Sequence, residues 1–170
     1  EYILAIPENY RNRIIIHSHH ELASIHGLKG IHYSRSHRKK GLGGKTKMGI
    51  TRILNRKMRF TKSCHSLQSI NDNVSRYNYV FLSPLFDSIS KEDYKSKFKL
   101  GAVKEMLLST KQSVYALGGI TPNNLEKVYK LGFNGVAVLG YIWDSDENPV
   151  EAYQKVVDRM KKIEENAVFA

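Results

Sequence analysis

The sequence predicts an α/β fold built on a parallel sheet, and two observations carry that prediction. Short apolar, β-branched runs alternate with helix-like segments along the 170 residues, and repeated strand–helix units assemble into parallel sheets covered on both faces. Polar and glycine residues also gather at the carboxyl ends of these runs: His17 to His19, Ser34 and Arg35, His65 and Ser66, Ser83, Gly118 and Gly119, and Gly140. Six strands fit either an eight-stranded α/β barrel lacking its first two strands or an open doubly wound sheet. Both architectures bind ligands at the carboxyl ends of the strands.

The first strand is expected over Arg13 to Ser18 (RIIIHS), followed by the helical HELASIHG. Gly30 to Ser34 is the second strand. The glycine-rich KKGLGGKTKMG is a loop leading into a helix over Met48 to Asn55. Met58 to Ser63 forms the third strand, with a short helix from Leu67. Tyr79 to Leu82 is the fourth, backed by the helix LGAVKEMLLST. Val114 to Leu117 is the fifth and runs into Gly118 and Gly119, with Thr121 expected as N-cap and Pro122 at the first position of a helix closing at Gly132. Gly135 to Leu139 is the sixth. In the last helix Asn148 is the cap, Pro149 lies in the first turn, and Val150, Tyr153, Val157, Met160 and Ile163 recur at helical spacing.

Composition narrows the function classes. No apolar run reaches the ~18 residues of a membrane span, and a cytoplasmic protein is expected. Cys64 is the single cysteine, which excludes a disulfide framework or a cysteine-based zinc site within one chain. The net charge is +11, and eleven Lys and Arg residues with no Asp or Glu lie between Arg35 and Lys62. Such a segment is either a solvated basic face or a site for phosphates. Phe60 is its only aromatic residue, a poor stacking platform for single-stranded nucleic acid.

Four constellations could carry chemistry. The glycine-ended strands ALGGI and AVLGYI expose backbone N–H groups suited to an anion, although turn geometry alone also calls for glycine. In SCHS, His65 follows a strand between hydroxyls, and a histidine near its ordinary pKa of ~6.5 transfers protons at neutral pH. The loop SPLFDSISK places Ser88 and Ser90 before Lys91, a combination that suits an anionic group or an ordinary polar loop. His17 and His19 would share one face of a strand, but zinc needs a third ligand and magnesium prefers carboxylates, so no metal site is expected.

Taken in order, these motifs resemble the thiamine-phosphate synthase and TenI family. The matching pieces are RIIIHSHHELASIHGLKGIHYS, SCHSLQSI, YNYVFLSPLFDSISK and VYALGGITPNNLEKVYKLGFNGVAVLGYIW. The resemblance implies a TIM-type (β/α)8 barrel of the thiamine-phosphate synthase type, one domain over residues 1–170, with the first two strands absent from this chain. It implies action on a phosphorylated thiazole in thiamine biosynthesis. The synthase branch joins that thiazole to an aminopyrimidine diphosphate and releases diphosphate with the help of Mg2+. The TenI branch includes tautomerases that move protons with a histidine.

By resemblance His65 is the catalytic histidine, and Gly118, Gly119, Leu139 and Gly140 bind the thiazole phosphate. Ser88, Ser90 and Lys91 form the diphosphate or anion loop, and His17, His19, Arg35 and Ser63 are further pocket candidates. Where the synthase pattern has Asn-Asp-Arg and Gly-Gln-x-Asp, this chain has His17-Ser18-His19 and Ser34-Arg35-Ser36-His37. Both metal-binding carboxylates are gone, so tautomerase-type proton transfer is the expected activity and Mg2+ is expected only with synthase activity. The alternatives are the synthase itself and a non-catalytic protein that holds a phosphate ligand or RNA. Nucleic acid and membrane are not the expected partners, and the oligomeric state is left open.

Overall fold

The computed structural model describes residues 2–34, 49–53, 55–72, 74, 76–89 and 95–168. They form two compact units, one of residues up to Ser63 with Ser75–Tyr79, the other of Cys64–Val74 and Val80 onward. The predicted class holds, because six strands alternate with helices and every neighbouring pair within a unit is parallel.

In the first unit, α1 (Tyr2–Ala5) and α2 (Glu8–Arg11) precede β1 (Ile15–Ile16), α3 (Glu21–Ile25), β2 (Gly30–Tyr33) and β3 (Arg59–Cys64, its last residue assigned to the second unit). β1 pairs with β2 through Ile15 and Gly30, and β2 with β3 from Gly30 opposite Arg59 to Tyr33 opposite Lys62. Residues 49–53 are helical, inside the span expected for a helix there. β1 is two residues long, not six, and ends before His17.

Part of the basic segment is spent on this unit's own core. The Arg52 guanidinium lies 5.0 Å from the Phe60 ring centre and 5.1 Å from that of Tyr77, and the Lys62 ammonium lies 5.7 Å from Tyr77. Tyr33 stacks on Phe60 at 6.2 Å. Lys62 is 5% exposed, so its aliphatic stem is packed in the way long cationic side chains commonly cover apolar surface. Burial raises the Tyr33 phenol above its ordinary value, against the opposing field of Arg52.

In the second unit, α4 (Gln68–Asn71), β4 (Tyr79–Leu82, its first residue assigned to the first unit), α5 (Leu100–Ser109), β5 (Val114–Leu117), α6 (Leu125–Leu131), β6 (Gly135–Ala137), α7 (Gly140–Trp143) and α8 (Pro149–Val168) follow in order. Val80 pairs with Val114, and Tyr115 with Gly135. Val80, Leu82, Val114 and Ala116 are fully buried at alternate positions, as the strand period of two demands. They share the core with Val103, Leu125, Val128, Ala152 and Val156 from the helices. Within each unit the strands lie in chain order. Neither contains the strand-order reversal that defines a doubly wound sheet.

Asparagines lock two strand starts. The Phe60 N–H donates to Asn78 Oδ1 at 2.7 Å, and the Asn78 N–H returns to the Phe60 carbonyl at 2.9 Å. Val114 and Asn134 repeat the device at 2.8 and 2.9 Å. Asn134 stands just before β6, so its two bonds fix where that strand begins relative to β5.

Two expectations shift. α6 starts at Leu125, and its N-cap is Asn124 rather than Thr121. Asn124 Oδ1 accepts the Thr121 N–H at 3.0 Å, while Nδ2 donates to the Gly119 carbonyl at 2.7 Å, holding residues 121–124 as a turn. In α8 the cap is as expected, with Asn148 Oδ1 accepting the Val150 N–H at 2.9 Å. Its buried stripe is Ala152, Val156 and Ile163, whereas Val150 and Tyr153 are exposed. Ala152 is fully buried there, on a helix that packs against α6 and α7. Glu126 on α6 meets Lys130 and, on α8, Arg159, each at 2.8 Å.

Candidate functional site

The carboxyl ends of β4, β5 and β6 enclose a cavity of about 120 Å³ in the second unit. Ser83, Pro84 and Ser88 form one wall, Gly118 and Gly119 the floor, and Leu139 and Gly140 the opposite wall. That space is enough for a phosphate-sized group.

Both glycines of the pair have left-handed backbones, with φ of 97° at Gly118 and 64° at Gly119. The chain's own loop approaches them. A Cβ on Gly118 would lie 2.8 Å from Pro84 Cα, and one on Gly119 would collide with the Asp87 carbonyl oxygen and stand 2.8 Å from Phe86 Cβ. The Leu85 N–H donates to the Leu117 carbonyl at 2.9 Å and the Phe86 N–H to that of Gly118 at 3.1 Å, so residues 84–87 extend the ladder past the end of β5. Turn geometry and close approach thus both hold, and the approaching backbone is internal. The same absence of side chains leaves the floor of the cavity open.

His65 follows the last residue of β3, and its imidazole Nδ1 donates to the Ser83 carbonyl at 2.7 Å. A carbonyl only accepts, so the neutral ring carries its proton on Nδ1 and Nε2 is the basic nitrogen. Ser83 also lines the cavity, which ties the histidine to its wall. Asp87 Oδ1 accepts the Ser96 N–H at 2.8 Å, and Ser96 Oγ donates to the Leu85 carbonyl at 2.7 Å, bracing the loop from behind.

The other expected residues divide. Leu139 and Ser88 join the cavity wall, while Arg35, Ser90 and Lys91 lie outside the described residues. His17 and His19 do not share a strand face: β1 stops at Ile16, and both are exposed. His19 has a positive φ of 49° and pairs with Glu21 at 3.7 Å in solvent. Ser63 lies on β3 in the first unit, 3.1 Å from His32 Nε2. Among the described residues no group of three His, Cys, Asp or Glu side chains converges to hold a metal. Magnesium requires hard oxygen ligands, and these residues do not fit it.

Two contributors were missed from sequence. Asn124 ties the glycine pair to the start of α6, and two asparagines after a proline signal a turn. His32 was visible as the polar residue inside GIHYS, at a position that strand alternation places on one face with Gly30 and Ser34.

No helix among the described residues is long and apolar enough to cross a membrane. Comparison with known proteins follows the same lines as the geometry. The family model described as thiamine monophosphate synthase matches residues 1–142. A thiamine-phosphate synthase of Prochlorococcus marinus is 25% identical over 164 residues, covering 94% of this chain and 44% of that protein. This chain therefore spans less than half of that relative's length. A crystal structure of thiamine phosphate pyrophosphorylase from Bacteroides thetaiotaomicron superposes with a TM-score of 0.67 at 27% identity, over 97% of this chain and 75% of that one. The Pyrococcus furiosus thiamine phosphate pyrophosphorylase gives a TM-score of 0.72 at 16% identity over 95% and 77%, which speaks for the fold.

Proposed function

This chain belongs to the thiamine monophosphate synthase family, and from that premise we propose that it binds a phosphorylated thiazole in the glycine-floored cavity and joins it to an aminopyrimidine diphosphate. The observation that carries this reading is the cavity itself, walled by Gly118, Gly119, Leu139 and Gly140 and closed by the Ser83–Ser88 segment. Relatives carrying the synthase name support the condensation over the tautomerisation that the missing carboxylates had suggested. In the condensation the bond from the pyrimidine methylene carbon to the diphosphate oxygen breaks, and the oxygen leaves with the electron pair. The thiazole nitrogen lone pair forms the new carbon–nitrogen bond.

The chain's own part is to seat the phosphate and hold both rings in line, since orientation supplies much of the acceleration of a two-substrate reaction. Ser88 and Lys91 bind the departing diphosphate. With no fitting carboxylates for magnesium among the described residues, no step is assigned to a metal. Incubation of the chain with both substrates, following diphosphate and thiamine phosphate together, tests the reading. Equimolar formation of both products is expected, and absence of both overturns it.

One observation favours a second reading. His65 holds its Nδ1–H on the Ser83 carbonyl, which leaves Nε2 as the basic nitrogen, an arrangement suited to moving a proton on a thiazole carboxylate phosphate. Proton NMR of thiazole isomerisation, with and without the pyrimidine substrate, separates the two.

A further inference from the structure

The first unit carries an open groove of about 770 Å³ at the amino ends of β2 and β3. Four cations line it, Lys29, Arg56, Lys57 and Arg59, and all four are exposed. No carboxylate shares that lining, and among the described residues none of the four has an ion pair. The sequence from Arg35 to Lys62 contains no Asp or Glu.

Two turns hold these cations in place. The Met58 N–H donates to the Asn55 carbonyl at 3.0 Å, closing the turn that carries Arg56 and Lys57. Asn55 anchors this turn on both sides: Nδ2 donates to the Thr51 carbonyl at 3.0 Å, and Oδ1 accepts the Ser24 hydroxyl of α3 at 3.2 Å. Gly27, with a φ of 61°, ends α3, and the Leu28 N–H donates back to the Ala23 carbonyl at 2.9 Å, a glycine-capped reversal that delivers Lys29. The Arg59 N–H donates to the Lys29 carbonyl at 2.8 Å, which brings those two backbones side by side.

Cations are also favoured at helix carboxyl ends, and α3 and the helix at 49–53 both end here. Two helix ends together supply at most about one negative charge, so about three of the four positive charges are left over. The groove offers an apolar surface as well. Ile53 is 69% exposed and lines it together with Met58 and buried Leu28.

We propose that this groove is a binding site for a nucleotide-class ligand, with the polyphosphate held by Lys29, Arg56, Lys57 and Arg59 and the ring laid on Ile53 and Met58. Its volume lies within the range of about 300–1,000 Å³ common to small-molecule sites. Arginine forks and a lysine point charge are the usual means of holding phosphate. A surface for single-stranded nucleic acid would carry aromatic platforms, and no aromatic side chain lines the groove.

The test is calorimetric titration of the full chain with ATP in the absence of divalent metal. ATP is expected to bind, and Arg56→Gln and Arg59→Gln are each expected to weaken it by roughly two- to fivefold, the size of one exposed ion pair. Lys104→Gln, an exposed lysine on α5, should leave the affinity unchanged. Urea midpoints equal to that of the unmodified chain show that the variants act on binding alone. Tripolyphosphate should bind more weakly than ATP, and Ile53→Ser should narrow that difference. No binding of ATP, affinity indifferent to Arg56 and Arg59, or equal affinity for ATP and tripolyphosphate each overturn the proposal. A short RNA duplex that binds more tightly than ATP, with steep salt dependence, overturns it in favour of a nucleic-acid surface.

Discussion

The imidazole Nδ1 of His65 donates to the backbone carbonyl of Ser83 across 2.7 Å, linking the residue after β3 to the one after β4. Because the acceptor is backbone, no side-chain change at Ser83 deletes it. The bond places the proton of the neutral ring on Nδ1 and leaves Nε2 as its basic nitrogen.

From this follows a split between two activities. His65→Ala is expected to lower thiazole isomerisation by about 10²- to 10⁴-fold, the usual contribution of a positioned acid–base group. Diphosphate release in the condensation should change much less. Proton NMR and a diphosphate assay on one preparation read both quantities. Equal losses in the two would place His65 in substrate binding instead.

The glycines give a graded stability series. Gly27 has a φ of 61° with nothing within 4 Å of its absent Cβ, so Gly27→Ala bears only the left-handed backbone penalty of about 1–2 kcal/mol. Gly119→Ala adds collision with the Asp87 carbonyl and Phe86, and its urea midpoint should fall further. Its affinity for phosphate should fall with it. A midpoint equal to that of Gly27→Ala would mean that the 84–87 loop yields freely.

Asn134 supplies the acceptor for the N–H of fully buried Val114. Asn134→Ala leaves that donor unsatisfied and should cost about 1–3 kcal/mol. Asn134→Asp retains an acceptor oxygen and should recover part of the loss. Amide hydrogen exchange at Val114 gives a local measure, with faster exchange expected in the alanine variant.

Glu126 makes stability depend on pH with a definite sign. The hydrogen bond and charge of Lys130, with Arg159 adding to them, hold its carboxyl below the ordinary value of 4.5. A carboxyl whose folded pKa is depressed stabilises the fold above its unfolded value. That contribution fades as pH falls through the folded value. The stability gap between the unmodified chain and Glu126→Gln should therefore be constant near neutrality and close in acid. Since the group is exposed, added salt should narrow it as well. A gap independent of pH would show that the glutamine acts through packing.

How much of this was legible in the sequence depends on the range of the interaction. The β-branched runs marked all six strands, because a strand buried on both faces needs apolar residues at nearly every position. Asn148 marked the start of α8, because a cap and its targets lie within three residues. The apolar stripe of that helix came out one step off its buried face: large side chains dominate a periodicity, while small Ala152 is fully buried. β1 was expected too long, since an apolar run does not reveal that the backbone turns at His17. The clasp of Asn134 on Val114 spans twenty residues, and Asp87 beneath Gly119 lies thirty-two away in number. Neither distance leaves a mark on local pattern. The cavity glycines were visible, but what presses against them was not.

The fit of Asp87 and Phe86 against Gly119 makes the glycine pair and the 84–87 segment a single mechanical part. On the function proposed above, a phosphate oxygen settling on the glycine backbone would load the same peptides that support Pro84 to Asp87, and slackening of that segment would withdraw the floor from beneath the ligand.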